Sequence, residues 1–162
     1  MIIVSDTSPI ANLIQIGELE ILNLMFGKVI IPPSVHREIE ALRQFNVDLT
    51  EFDTADWIEK VAPLNVLLLQ NIKLELDEGE SEAIVVASEL GAHYLLIDER
   101  LGTAKARQFG LETVGLIGVL IKAKREGIIR EVKPILDSLI KDAGFWIGQK
   151  LYLNVLKTVG EA

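Results

Sequence analysis

Met1-Ile2-Ile3-Val4-Ser5-Asp6-Thr7-Ser8-Pro9 is the stretch on which the fold turns. Ile2, Ile3 and Val4 are β-branched and apolar, which predicts a buried strand beginning almost at the first residue. Ser8-Pro9 then reads as a helix start, with Ser8 as the cap and Pro9 at the first helical position. Asp6 is thereby expected at the carboxyl end of a strand, beside the amide donors of a helix N-terminus. Ligands of open α/β sheets bind at such edges. A single aspartate there also serves as an ordinary turn residue. The reading depends on whether other acids converge on it.

The same pattern recurs downstream. Val29-Ile30-Ile31 is a second short apolar run, closed by Pro32-Pro33, and Pro33-Ser34 opens a helix with Val35, Ile39 and Leu42 on one face. Trp57 to Val61 reads as a strand, and Asn65 to Leu76 as helix. Asp77-Glu78-Gly79-Glu80 has the form of a capping box, followed by a helix carrying Ala83, Ile84, Ala87 and Leu90 up to Gly91. Tyr94-Leu95-Leu96-Ile97 is a strand ending on Asp98-Glu99, followed by a helix to Phe109. Thr113-Val114 is a last short strand, and Leu116 to Arg125 a further helix. Strands alternating with helices predict a three-layer α/β/α sandwich around a central parallel sheet. The chain reads as a single domain, 1–162. Residues 131–162 form a C-terminal helical extension that either completes the core or docks a partner.

Composition narrows the chemistry. The 162 residues include no cysteine and only two histidines, His36 and His93, so neither a thiolate site nor a His-rich zinc centre is expected. Both histidines read as ordinary surface or packing residues rather than ligands, and Trp57 and Trp146 as core anchors rather than base-stacking platforms. No basic leader and no run of membrane-spanning length is visible, which predicts a soluble, cytoplasmic protein. A net charge of −8 argues against broad phosphate-neutralising contacts with nucleic acid. An acidic site that holds phosphate through a cation remains open. Lys122, Lys124 and Arg125 form a small basic cluster, the candidate for an RNA contact.

Glu38 falls about 40° from Leu42 around its helix, at the margin of the apolar face. Glu80 and Glu82 lie in the first turns of the helix that precedes the Asp98 strand. Asp6, Glu38, Glu80 or Glu82, and Asp98 therefore share, or reach, one edge of the sheet. Crowded carboxylates raise one another's pKa unless a cation neutralises them, and an oxygen-only set suits Mg2+ or Mn2+. A phospho-acceptor role for Asp6 is the weaker reading, because Ser8 stands where a haloacid-type phosphatase carries its second aspartate.

These residues also carry a resemblance. Asp6-Thr7-Ser8-Pro9, Ile31 to Glu38, Leu76 to Ile84, Leu95 to Arg100 and the Gly144-Phe145-Trp146 turn together resemble the PIN-domain family, within it the DUF3368 group. The resemblance implies a metal-dependent ribonuclease of the kind found as toxins in toxin–antitoxin pairs, acting on RNA. It also implies an antitoxin partner and a homodimer. Asp6, Glu38, Asp98 and either Glu80 or Glu82 would hold Mg2+ or Mn2+, with Glu82 the better match to the family's acid-plus-apolar run, whereas the helical wheel puts Glu80, also the capping-box partner, on the buried face. Glu99 would stand where relatives carry a second aspartate, and Ser8 would support the site. Relatives often have an arginine after the glycine in the Asp98 segment. Here Thr103 follows Gly102, leaving Lys105 and Arg107 to supply positive charge. A catalytically inactive module binding protein or RNA is the alternative.

Overall fold

The computed structural model describes residues 1–162. Five short parallel strands make one sheet: β1 (Ile3–Ser5), β2 (Val29–Ile31), β3 (Ile58–Lys60), β4 (Tyr94–Leu96) and β5 (Thr113–Val114). Their order is β3-β2-β1-β4-β5, so the chain steps outward from β1 on one side and later returns to its other side. β1 is central, pairing Val4 with Ile30 and Ser5 with Leu96. The gap between the ends of β1 and β4 is the topological switch point, where neighbouring connections leave in opposite directions and open a crevice.

Alternation along each strand sorts side chains onto two faces. Ile3, Val29, Ile31 and Leu96 enter the larger core. There they meet α1 (Thr7–Gln15), α2 (Glu20–Phe26), α3 (Pro33–Glu40), the one-turn α4 (Thr50–Asp53) and α8 (Leu116–Arg125). Val4, Ile30, Leu95 and Ile97 face the other way. They pack on α6 (Glu78–Leu90) and α7 (Arg100–Gln108), with α5 (Val66–Ile72) outside. The sandwich therefore has the three layers expected.

α9 (Lys133–Asp142) and α10 (Gln149–Thr158) lay Leu136, Leu139 and Val155 into the larger core. Glu161 fastens this pair. Its carboxylate accepts from Lys124 Nζ, Val132 N and Lys133 N, each at 2.8 Å.

Several local expectations are corrected. α1 starts at Thr7, two residues before the Pro9 start, which makes Asp6 itself the N-cap residue; its side chain makes no capping bond. α6 is buried on every side from Gly79 to Ala87 rather than along one stripe. Trp146 is 85% exposed on its turn and anchors nothing in the core, whereas Trp57 packs against it. His36 is tilted against Phe52, and His93 Nδ1 accepts from Ile2 N.

Candidate active site

Helices that run antiparallel to the strands begin at the carboxyl edge of the sheet, so their first turns surround the switch point. β1 delivers Asp6 there. The Asp6 amide donates to Leu96 O at 2.9 Å, which fixes Asp6 against β4. Asp98, two residues beyond β4, accepts from the Leu116 amide at 2.9 Å, where α8 starts. Glu38 comes from α3 and accepts from the Thr7 hydroxyl, tying α3 to α1. Glu80 comes from the first turn of α6. Asp77 caps that helix by accepting from the Glu80 amide at 2.8 Å.

These acids line one cleft of about 400 Å³, bounded by Asp6, Thr7, Ser8, Ala11, Glu38, Asp77, Glu80, Asp98 and Glu99. No lysine, arginine or histidine lines it. Burial pushes the Asp6 carboxyl up to about 7, against the Thr7 amide, and the charges of Asp77, Glu38 and Asp98 push the same way. Burial likewise pushes Glu80 up to about 8, helped by Asp77 and then Asp6. Asp98, more open at the rim, is raised by desolvation against the Leu116 amide.

Glu80 Oε2 is the one buried side-chain oxygen or nitrogen in the chain without a hydrogen-bond partner. Buried acceptors are ordinarily satisfied, and an orphan calls for an explanation. A hard cation in the cleft is one that matches the donor set, which is oxygen throughout. As placed, no three of the acids converge closely enough to share one ion. Mutual repulsion favours such spacing.

The two candidates on α6 are separated by the structure. Glu82 is buried but faces α3, where Oε1 accepts from Ser34 N at 2.9 Å and Ser34 Oγ at 2.6 Å. It satisfies the open Ser34 amide at the α3 N-terminus and lies outside the cleft, so of the two acids it is Glu80, not the preferred Glu82, that lines the cleft. The phosphate-gripping candidates also lie elsewhere. Lys105 is paired with Glu75, and Arg107 lines a separate depression with Gly110 to Thr113. The basic cluster on α8 is largely committed too. Lys124 holds Glu161, and Lys122 lies over the Tyr94 ring at 5.1 Å. The cluster's residues also stand six to nine positions along α8 from Leu116 at the cleft, about 9–14 Å away.

Asp77 was read from the sequence only as a cap, and Thr7 was not assigned a role. The available signal was positional: a side chain at the N-cap of a helix antiparallel to the sheet sits at the ligand-binding edge.

A parallel sheet with a carboxylate-rich crevice at its switch point defines an α/β domain with an acidic centre. The chain belongs to the PIN-domain family: the DUF3368 model, a PIN domain, matches residues 2–161. PIN domains are generally nucleases and typically use divalent metal ions. Among solved structures, the chain is similar to a PilT N-terminus domain protein from the hyperthermophilic archaeon Sulfolobus solfataricus P2. The two are 21% identical, with a TM-score of 0.51 over 76% of this chain and 93% of that one. At that identity the likeness concerns the fold. No curated protein matches the chain. No helix is long and apolar enough to cross a membrane.

Proposed function

We propose that the chain is a divalent-metal-dependent endoribonuclease whose cleft holds Mg2+ or Mn2+ through Asp6, Glu38, Glu80 and Asp98. The observation that carries this reading is the orphaned Glu80 Oε2, buried in a cleft of carboxylates that contains no basic side chain. A divalent ion there supplies Lewis acidity toward an RNA phosphodiester and offsets the charge of the acids. The protein's part is to hold the acids in place. Leu116 N orients Asp98, Thr7 Oγ1 orients Glu38, and Leu96 O anchors the Asp6 backbone. Without the ion, Asp6 and Glu80 retain protons near neutral pH, and binding releases them. Asp77 and Glu99 lie at the rim, and Ser8 borders the Asp6 side.

The test pairs two measurements on wild type and Asp6→Asn. Saturating Mn2+ is expected to raise the melting temperature of wild type alone, by the equivalent of about 2.7 kcal/mol at a hundredfold excess over Kd. Cleavage of a mixed RNA pool in Mn2+ or Mg2+ is expected from wild type and not from the variant. Cleavage that survives Asp6→Asn, or none from wild type under either ion, overturns the assignment.

A non-catalytic binding module is the second reading. Leu64, Val66, Leu67 and Leu74 are largely exposed around α5, and such patches mark protein contacts. The partner would be a second copy or an antitoxin-like protein. Growth arrest on expression, relieved by the product of a small adjacent reading frame, would support the toxin role.

A further inference from the structure

We propose that Gly79, Gly102 and Gly115 are positioning residues, each leaving open the volume that one cleft carboxylate occupies. The proposal rests on the metal-site reading above for its consequence, and on geometry for its premise. A Cβ on Gly79 would stand 2.8 Å from Glu38 Oε1. One on Gly102 would stand 2.6 Å from Glu80 Oε2 and 2.6 Å from Ile97 Cδ1, and one on Gly115 would stand 2.6 Å from Asp98 Oδ1. These are the only glycines whose added carbon would come within 3.0 Å of any atom. In all three cases the nearest atoms include an oxygen of a different cleft acid.

Backbone conformation does not explain these glycines. The seven positive-φ glycines lie at other positions, and their added carbons would meet nothing within 4 Å. Gly79 and Gly102 sit in the first turns of α6 and α7, with helical geometry that any residue adopts. Gly115 precedes α8 in extended backbone, φ −87°. Alanine is the better helix former inside a helix. A glycine retained there gives up local stability, and the volume it leaves is filled by the carboxylate. The three helices thus converge on the cleft by their backbones, and the acids lie directly on them. A side chain at any of the three displaces one donor while leaving its charge and identity intact.

The experiment uses the full chain as Gly79→Ala and Gly115→Ala, each alone and combined with a change in the acid it faces, Glu38→Asp and Asp98→Ala. Gly102 is set aside because its clash with Ile97 would disturb the core. Metal-free melts and Mn2+ titration by calorimetry are the readouts. Gly79→Ala is expected to melt no lower than wild type while Mn2+ affinity falls about 10- to 100-fold, as for other residues that orient ligands. In the Glu38→Asp background that fold-loss is expected to shrink, because a side chain one methylene shorter draws back from the new methyl. Gly115→Ala is expected to lower the metal-free melting temperature in wild type and not in Asp98→Ala. Wild-type Mn2+ affinity in both alanine variants, or losses equal in both backgrounds, overturns the proposal. If wild type itself takes up no Mn2+, the metal reading falls, and the melts still decide. A Gly115→Ala loss that is the same with and without the Asp98 carboxylate then overturns the positioning role.

Discussion

The cleft and the C-terminal lock each withdraw a glutamate from solvent, and the surroundings of the two could hardly differ more. Glu161 meets one ammonium and two backbone amides. Burial pushes its carboxyl up, but Lys124 and the two amides prevail and hold it below the usual range. Glu80 meets other acids, keeps one oxygen unpartnered and is pushed up to about 8. The first arrangement is what a folding chain uses to close its last two helices. The second opposes folding, since a buried acceptor without a partner is left undersatisfied. A domain carries such a group where its unmet demand is met by a ligand.

The contrast is broken most forcefully by neutralising both residues in the metal-free protein. Glu161→Gln is expected to destabilise the fold by about 1–3 kcal/mol through loss of charge-assisted bonds. Glu80→Gln is expected to leave stability unchanged or raise it at pH 8. Chemical denaturation of the two variants side by side measures this, and a large loss for Glu80→Gln would erase the distinction.

Acidity gives the next effect. Asp6 and Glu80 have folded values above their ordinary ones, so they bind more protons folded than unfolded. Their favourable contribution is fully present below about pH 4 and is lost as pH rises through about 7 to 8. The metal-free protein is therefore expected to melt lower at pH 8.5 than at pH 6, by several degrees at about 2–4 °C per kcal/mol for a chain of this size. Asp6→Asn should flatten that slope and Glu161→Gln should not. A flat wild-type profile would contradict the crowding of the cleft.

The smallest effect sharpens the contrast within one helix. Glu82→Gln preserves the carbonyl acceptor for Ser34 and is expected to cost about 1 kcal/mol or less while leaving Mn2+ binding and RNA cleavage near wild type. Glu80→Gln should lose both. Equal losses in the two would return Glu82 to the cleft.

The three inner strands β2, β1 and β4 were legible because apolar runs of three or four residues, each followed by a helix start, repeat along the chain. Asp6 and Asp98 followed directly, being the residues on which two of those runs end. The choice between Glu80 and Glu82 was not legible. The helical wheel puts Glu80 on the buried face and the family's acid-plus-apolar run favours Glu82, and α6 is enclosed all round over Gly79–Ala87, so burial does not decide between them. What separates them is the packing of α3 on α6, which brings Ser34 to Glu82, 48 positions away in the chain. Lys105 and Arg107 failed for a similar reason: proximity in sequence to Asp98 says nothing about which way successive turns of α7 point. Trp146 failed because a large aromatic is not thereby an interior one.

The central place of β1 sets the order in which the molecule can become functional during synthesis. One flank of that strand waits for Tyr94–Leu96, more than eighty residues downstream. The leading half of the nascent chain carries Asp6, Glu38 and Glu80 but lacks Asp98 and the α8 amide that orients it. The last wall of the crevice arrives only once residues near 116 have left the ribosome, so a chain arrested earlier lacks either Asp98 or the amide that orients it.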